Sequence, residues 1–153
     1  MKQRSLLALL ITISFSAALL VSSCKKDDNN TIGKSKSELI IGSWSYTNIS
    51  SDKAYDWEND VIGTDGFTYR KTCMEASILT FNKGTTDNNG QFLIYDDCDE
   101  ENGEDTWILQ SDVLSVAGDD FKIDQLDNTT LKLSFTDSYN NQDVKITYTF
   151  KRR

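Results

Sequence analysis

Val144, Ile146, Tyr148 and Phe150 alternate with Lys145, Thr147, Thr149 and Lys151 near the end of the chain. This period of two constrains the fold more than any other feature. Successive side chains of a strand point to opposite faces, so the run reads as a strand with one buried and one wet face. Phe121 and Ile123 alternate with Lys122 and Asp124 in the same way, and Leu131, Leu133 and Phe135 alternate with Lys132 and Ser134. Trp44, Tyr46 and Asn48 form a further set against Ser43, Ser45 and Thr47. More strands are expected over 78–81, 91–95, 106–110 and 113–116. The breaks between them carry turn chemistry: Asn82-Lys83-Gly84, Asp87-Asn88-Asn89-Gly90, Gln110-Ser111-Asp112, Ala117-Gly118-Asp119-Asp120, Asp127-Asn128 and the segment 137–143. Asparagine, aspartate and glycine suit such places because they tolerate positive φ. About eight short strands with turns between them indicate an antiparallel sandwich or barrel. Ser35-Lys36-Ser37-Glu38 fits a capping box ahead of Leu39-Ile40-Ile41, and Gly42 stops it, so a single helical turn precedes the first strand. The segment 50–72 is poorly patterned and reads as a long loop with room for one edge strand at 66–70.

The N-terminus reads as an address. Lys2 and Arg4 precede Leu6 to Val21, which is almost wholly apolar. A charged start followed by an apolar run is the pattern of a secretory signal. Val21-Ser22-Ser23-Cys24 then resembles the lipobox of bacterial lipoproteins. That resemblance implies cleavage before Cys24 and lipid on its thiol and new amino terminus, with the membrane as partner. The bland alternative is an ordinary signal peptide with an incidental cysteine. Each buried methylene of such a lipid adds ~0.8 kcal/mol, and several chains anchor stably where one is marginal. Lys25-Lys26-Asp27-Asp28-Asn29-Asn30 resembles the charged tract that sends some Gram-negative lipoproteins to the outer face of the outer membrane; otherwise it is a solvated tether. The expected organisation is a signal peptide at 1–23, a lipidated cysteine and tether at 24–36 and one β-barrel domain at 37–153.

Composition narrows the chemistry. The 153 residues contain no histidine, which excludes Ser-His-Asp and Cys-His catalysis and His-ligated metals. Without Lys2 and Arg4, 14 bases face 24 acids. Nucleic acid is a poor partner for such a chain, because phosphate contacts need lysine and arginine. No cofactor and no enzymatic activity are expected.

A family resemblance gathers these signals. Gly42-Ser43-Trp44 after a one-turn helix is similar to the G-x-W signature of lipocalins. Thr80-Phe81-Asn82-Lys83-Gly84 with Cys73 before it and Cys98 after it, then Thr106-Trp107-Ile108-Leu109, then Tyr148 to Arg152, resemble in order and spacing the lipocalin-like domain of bacterial lipoproteins. The resemblance covers roughly residues 36–153. The segment 50–72 and the hairpin at 85–89 are longer than the family's. The resemblance implies an up-and-down barrel of about eight strands. It also implies that Trp44 closes one barrel end beneath a basic side chain of the last strand, Arg152, with Lys151 or Arg153 as alternatives. Arg152→Ala would then cost about 1 kcal/mol through lost cation–π stacking.

The remaining candidates have two readings each. Cys73 and Cys98 pair as a disulfide in an oxidising compartment, or stay free thiols. Seven carboxylates between Asp96 and Asp105 form a solvated acidic loop or a calcium site. The calcium reading is weak, because a glycine stands one place late and Ile108 occupies the position of the bidentate glutamate. Tyr46, Phe81, Phe92, Trp107 and Tyr148 fall on apolar faces and either fill the barrel or line a ligand site. A cavity of ~300 Å3 or more would favour a small apolar ligand, and a packed interior would favour a protein-interaction or structural module.

Overall fold

The computed structural model describes residues 33–57, 61–98 and 101–153, with the side chain of Glu101 excepted. The signal segment and Cys24 lie outside the described residues, as does most of the tether. The elements, in chain order, are α1 (Lys36–Ile40), β1 (Gly42–Asp56), β2 (Ile62–Asp65), α2 (Phe67–Ala76), β3 (Ile78–Lys83), β4 (Asn89–Asp96), β5 (Glu101–Gln110), β6 (Val113–Val116), β7 (Asp119–Leu126), β8 (Thr130–Tyr139) and β9 (Gln142–Arg152).

All strand pairings are antiparallel. The order β1-β3-β4-β5-β6-β7-β8-β9 closes on itself through pairing of β1 with β9, giving an eight-stranded up-and-down barrel. Closure removes both exposed edges. β2 is a ninth strand outside the ring, paired only with β1. Apolar side chains point inward while Lys122, Lys145 and Lys151 stand exposed, the reverse of a membrane-spanning barrel.

One end of the barrel is packed solid. Trp44, Trp107, Leu114 and Leu131 are wholly buried there, with Phe81 and Phe150 beside them. Each such side chain contributes about 1.5–3 kcal/mol on burial. Gly90 pairs with Trp107 across the β4–β5 ladder. A Cβ at Gly90 would lie 1.8 Å from the Asn82 carbonyl oxygen and 2.6 Å from Trp107 Nε1. Gly90 therefore serves close approach within a strand and not a turn of positive φ, and it lets the indole donate to that carbonyl at 2.9 Å.

Three expectations need correction. Asn48 does not share the face of Trp44 and Tyr46, because Thr47 is a bulge: Tyr46 pairs with Phe150 and Asn48 with Thr149. The extra residue flips the alternation, so Ile49 becomes the next buried side chain. The segment 50–72 is not a long loop with an edge strand at 66–70. β1 runs on to Asp56, β2 folds back on it, and residues 67–76 are helical, with a kink at Arg70. Asp65 starts that helix by accepting from the amides of Phe67 and Thr68, both at 3.0 Å. The acidic run is not a loop tip either. Asp96 ends β4, and Glu104 and Asp105 lie within β5. Among the described residues no three acidic or cysteine side chains converge as a metal site would require.

The turn after β7 is held by Asp127. Its carboxylate accepts from the Gln125 side chain, from the backbone and hydroxyl of Thr129 and from the backbone of Thr130, all at 2.8–2.9 Å. Burial alone would raise its pKa, but these bonds pull it down to about 2. A depressed folded-state value means stability that is present above the ordinary carboxylate range and lost as pH falls through about 2. Asp127→Ala should therefore cost about 1–3 kcal/mol at neutral pH. Its deficit against the parent should shrink to nothing in acid, as read by urea denaturation across pH.

Candidate functional site

The two barrel ends differ in kind. At the packed end, β1 starts at Gly42 with φ +128°, a conformation that favours glycine. A Cβ there would also lie 2.5 Å from a guanidinium nitrogen of Arg152. Arg152 pairs across the ladder with Trp44, and its guanidinium stands 4.2 Å from the centre of the indole ring. Its donors reach three carbonyls: Asn128 at 2.8 Å, Ile41 at 2.7 Å, and Leu39. Trp44 Nε1 donates to the Ile40 carbonyl at 2.8 Å. The arginine thus ties together the end of α1, the start of β1 and the β7–β8 turn. Gly42, Trp44 and Arg152 form this plug, and none of them lines the cavities at the other end.

The opposite end is hollow. A cavity of about 210 Å3 lies inside the barrel. Six rings face it: Tyr46, Phe81, Phe92, Phe121, Tyr148 and Phe150. Aliphatic side chains from β3, β4, β6 and β8 complete the wall, and Ala117 and Asp119 form the rim at the β6–β7 turn. Ala117 and Gly118 both have positive φ, at 55° and 91°, which makes that turn tight. A second cavity of about 220 Å3 sits beneath α2, bordered by Ile49, Trp57, Arg70, Met74 and Tyr148. Phe67 and Met74 of α2 pack onto the cluster of Ile49 and Ile146 at that end. The disulfide Cys73–Cys98 ties α2 to the β4–β5 turn, with Cα atoms 4.8 Å apart.

The wall also opens sideways. Pairing of β7 with β8 stops at Lys122 and Ser134, although β8 continues to Tyr139. A groove of about 780 Å3 occupies this gap. Phe121, Phe135 and Tyr148 line it and touch one another, with ring centres 5.7–6.4 Å apart. Tyr148 borders the groove and both cavities.

The phenols of this end remain neutral at physiological pH. Burial raises Tyr148, with a smaller push from Asp137, and burial likewise raises Tyr46. Tyr55 is pushed up to about 12, mainly by donating to Asp137 at 2.5 Å. Rings, aliphatic chains and one rim carboxylate suit the holding of a small molecule. Among the described residues the cavity wall brings no nucleophile and base together.

Of the five aromatic candidates, Tyr46, Phe81, Phe92 and Tyr148 meet around the cavity. Trp107 does not: it is wholly buried toward the packed end, edge-on to Phe81. Phe121 and Phe150 belong to the same alternating faces and were legible as inward residues, though not as cavity residues. Asp119 gave no signal, because an aspartate in a turn is explained by the turn.

No protein-family model matches the chain, and no curated protein matches it. Among solved structures it is similar to the siderocalin Ex-FABP, described as functioning through dual ligand specificities, at 12% identity over 78% of this chain and 71% of that one, with a TM-score of 0.47. It is also similar to bovine odorant binding protein in complex with a selenium-containing odorant, at 19% identity over 78% and 73% of the two chains, with a TM-score of 0.43. Likeness at this level carries nothing about what this chain binds.

Proposed function

We propose that the protein is a binding barrel, anchored in the cell envelope, that holds a small apolar ligand without transforming it. The observation that carries this reading is the ring-lined cavity of about 210 Å3 inside the barrel, above the packed end closed by Trp44. Ligand pockets more often span ~300–1,000 Å3. An apolar cavity of ~150 Å3 nevertheless stays dry and takes up benzene. The ligand is accordingly compact, about the size of one substituted ring. Native mass spectrometry of protein taken from its own envelope should show a small adduct. Val116→Phe should abolish it by placing a ring in the cavity, with the thermal melt retained. An adduct that persists in this variant would place the ligand elsewhere. No adduct on the parent would favour the other reading, a protein-interaction or structural module, for which the packed end of the barrel speaks.

The anchor rests on the sequence. Cys24 behind the apolar run would carry the lipid, and residues 25–36 would space the barrel from a Gram-negative outer membrane, with the Lys25 to Asn30 tract directing it to the outer face. Cys24→Ser should move the protein from the detergent phase to the aqueous phase. Unchanged partitioning would overturn the anchor.

A further inference from the structure

The cavity wall has a charge asymmetry that an indifferent apolar site would not need. Its six rings are accompanied by a single ionisable acid, Asp119, and no lysine or arginine lines it. Aromatic faces carry negative quadrupoles and attract cations within about 6 Å of the ring centre. Asp119 stands exposed on the rim, facing the cavity on one side and the lateral groove on the other. The nearest bases on the groove, Lys122 and Lys145, both turn to Asp124, at 3.4 and 2.6 Å. No ion pair engages Asp119 among the described residues. The phenols of Tyr46 and Tyr148 are also held neutral, so these rings add no charge of their own to the wall.

These features fit an ammonium and disfavour an anion. A carboxylate or phosphate would meet the repulsion of Asp119 and find no lysine or arginine in the wall to pair with. A cation sunk to the cavity floor would lose its hydration. At the rim it keeps water on one side while Asp119 and the outermost rings face it on the other. Resting on the reading of this cavity as a ligand site, we propose that its ligand is a small organic cation. The apolar body lies among Tyr46, Phe121 and Tyr148, and the protonated amine stops at Asp119. The chain's net charge of −8 would further favour approach of cations.

Three probes of equal size and different charge test this: benzylamine, benzyl alcohol and benzoate, titrated into the full chain with the amide signals of residues 117–121 followed by NMR. Benzylamine should bind roughly tenfold more tightly than benzyl alcohol, and benzoate should not bind. Asp119→Asn lies on an exposed turn edge and should weaken benzylamine roughly two- to fivefold while leaving benzyl alcohol unchanged. Benzyl alcohol binding as well as benzylamine, or Asp119→Asn weakening both alike, would overturn the charge assignment and leave the binding barrel standing. Failure of all three probes to bind would remove the binding barrel as well.

Discussion

Trp44→Ala will lower the unfolding free energy by about 3–5 kcal/mol, the cost of removing a fully buried aromatic side chain. The indole has no exposed surface, and its loss leaves a hole beneath the Arg152 guanidinium. It also strands the Ile40 carbonyl, which accepts from Nε1 at 2.8 Å. Arg152→Ala will cost about 2–3 kcal/mol, more than the ~1 kcal/mol expected from stacking alone, because three carbonyls lose a charged donor together. Arg152→Lys recovers only part of this, since an ammonium cannot reach three divergent acceptors as a guanidinium does. Equilibrium urea denaturation measures all three variants. A Trp44→Ala protein within 1 kcal/mol of the parent would show that this end does not hold the barrel closed. Ligand affinity should survive in each, because the cavity lies at the other end.

Replacing Cys73 and Cys98 together by serine will cost about 3 kcal/mol. The bond closes a loop with a sequence separation of 25, and releasing it returns that entropy to the unfolded chain. The consequence reaches the site. α2 buries only Phe67, so its own packing is slight, and the disulfide is the covalent tie between it and the β4–β5 turn. Without it the helix should lift from the cavity beneath. Amide exchange over residues 67–76 should accelerate well beyond what the global loss explains, and the β8–β9 amides should slow-exchange as before once corrected for stability. Uniform acceleration would mean that the bond stabilises the fold without holding α2 in place. Unchanged stability in the double variant would remove the disulfide from the energetics altogether.

Where residues alternate over a run of uninterrupted pairing, the strands were readable. β9 carries clean alternation because it pairs with β8 over nearly its whole length and with β1 from Ile146 to Arg152, and one of its faces is inside the barrel. The two-residue turn Asn140-Asn141, with φ of 51° and 59°, follows from what asparagine tolerates. Such features depend on each residue's own conformational preference and on the two-fold period, so the chain specifies them locally. The all-β antiparallel class, the one-turn helix with its capping box and the inward faces of Tyr46, Phe81, Phe92 and Tyr148 were legible for that reason, whereas the choice of barrel over sandwich came from the family resemblance.

The rest depended on partners distant in sequence. Thr47 is an unremarkable threonine until β9 pairs on either side of it and leaves it without an opposite number. Residues 67–76 lack an apolar stripe, because this helix buries one side chain and is held by a bond from outside; no periodicity could announce it. The cavity is a volume left over where six rings from different strands fail to fill the space between them, and a remainder of that kind is written in no single segment. Asp119 likewise gains its meaning from Phe121 beside it on β7 and from Tyr148 on β9, with which it borders the cavity and the groove. Sequence alone determined, outside residues 47–76, that this chain forms strands, where they turn and which faces go inward, since those follow from local stereochemistry and hydrophobic burial. The plug of Trp44 and Arg152 was implied by the family resemblance, but tertiary structure alone decided that the other end stays hollow, because packing depends on how side chains from all eight strands meet in three dimensions.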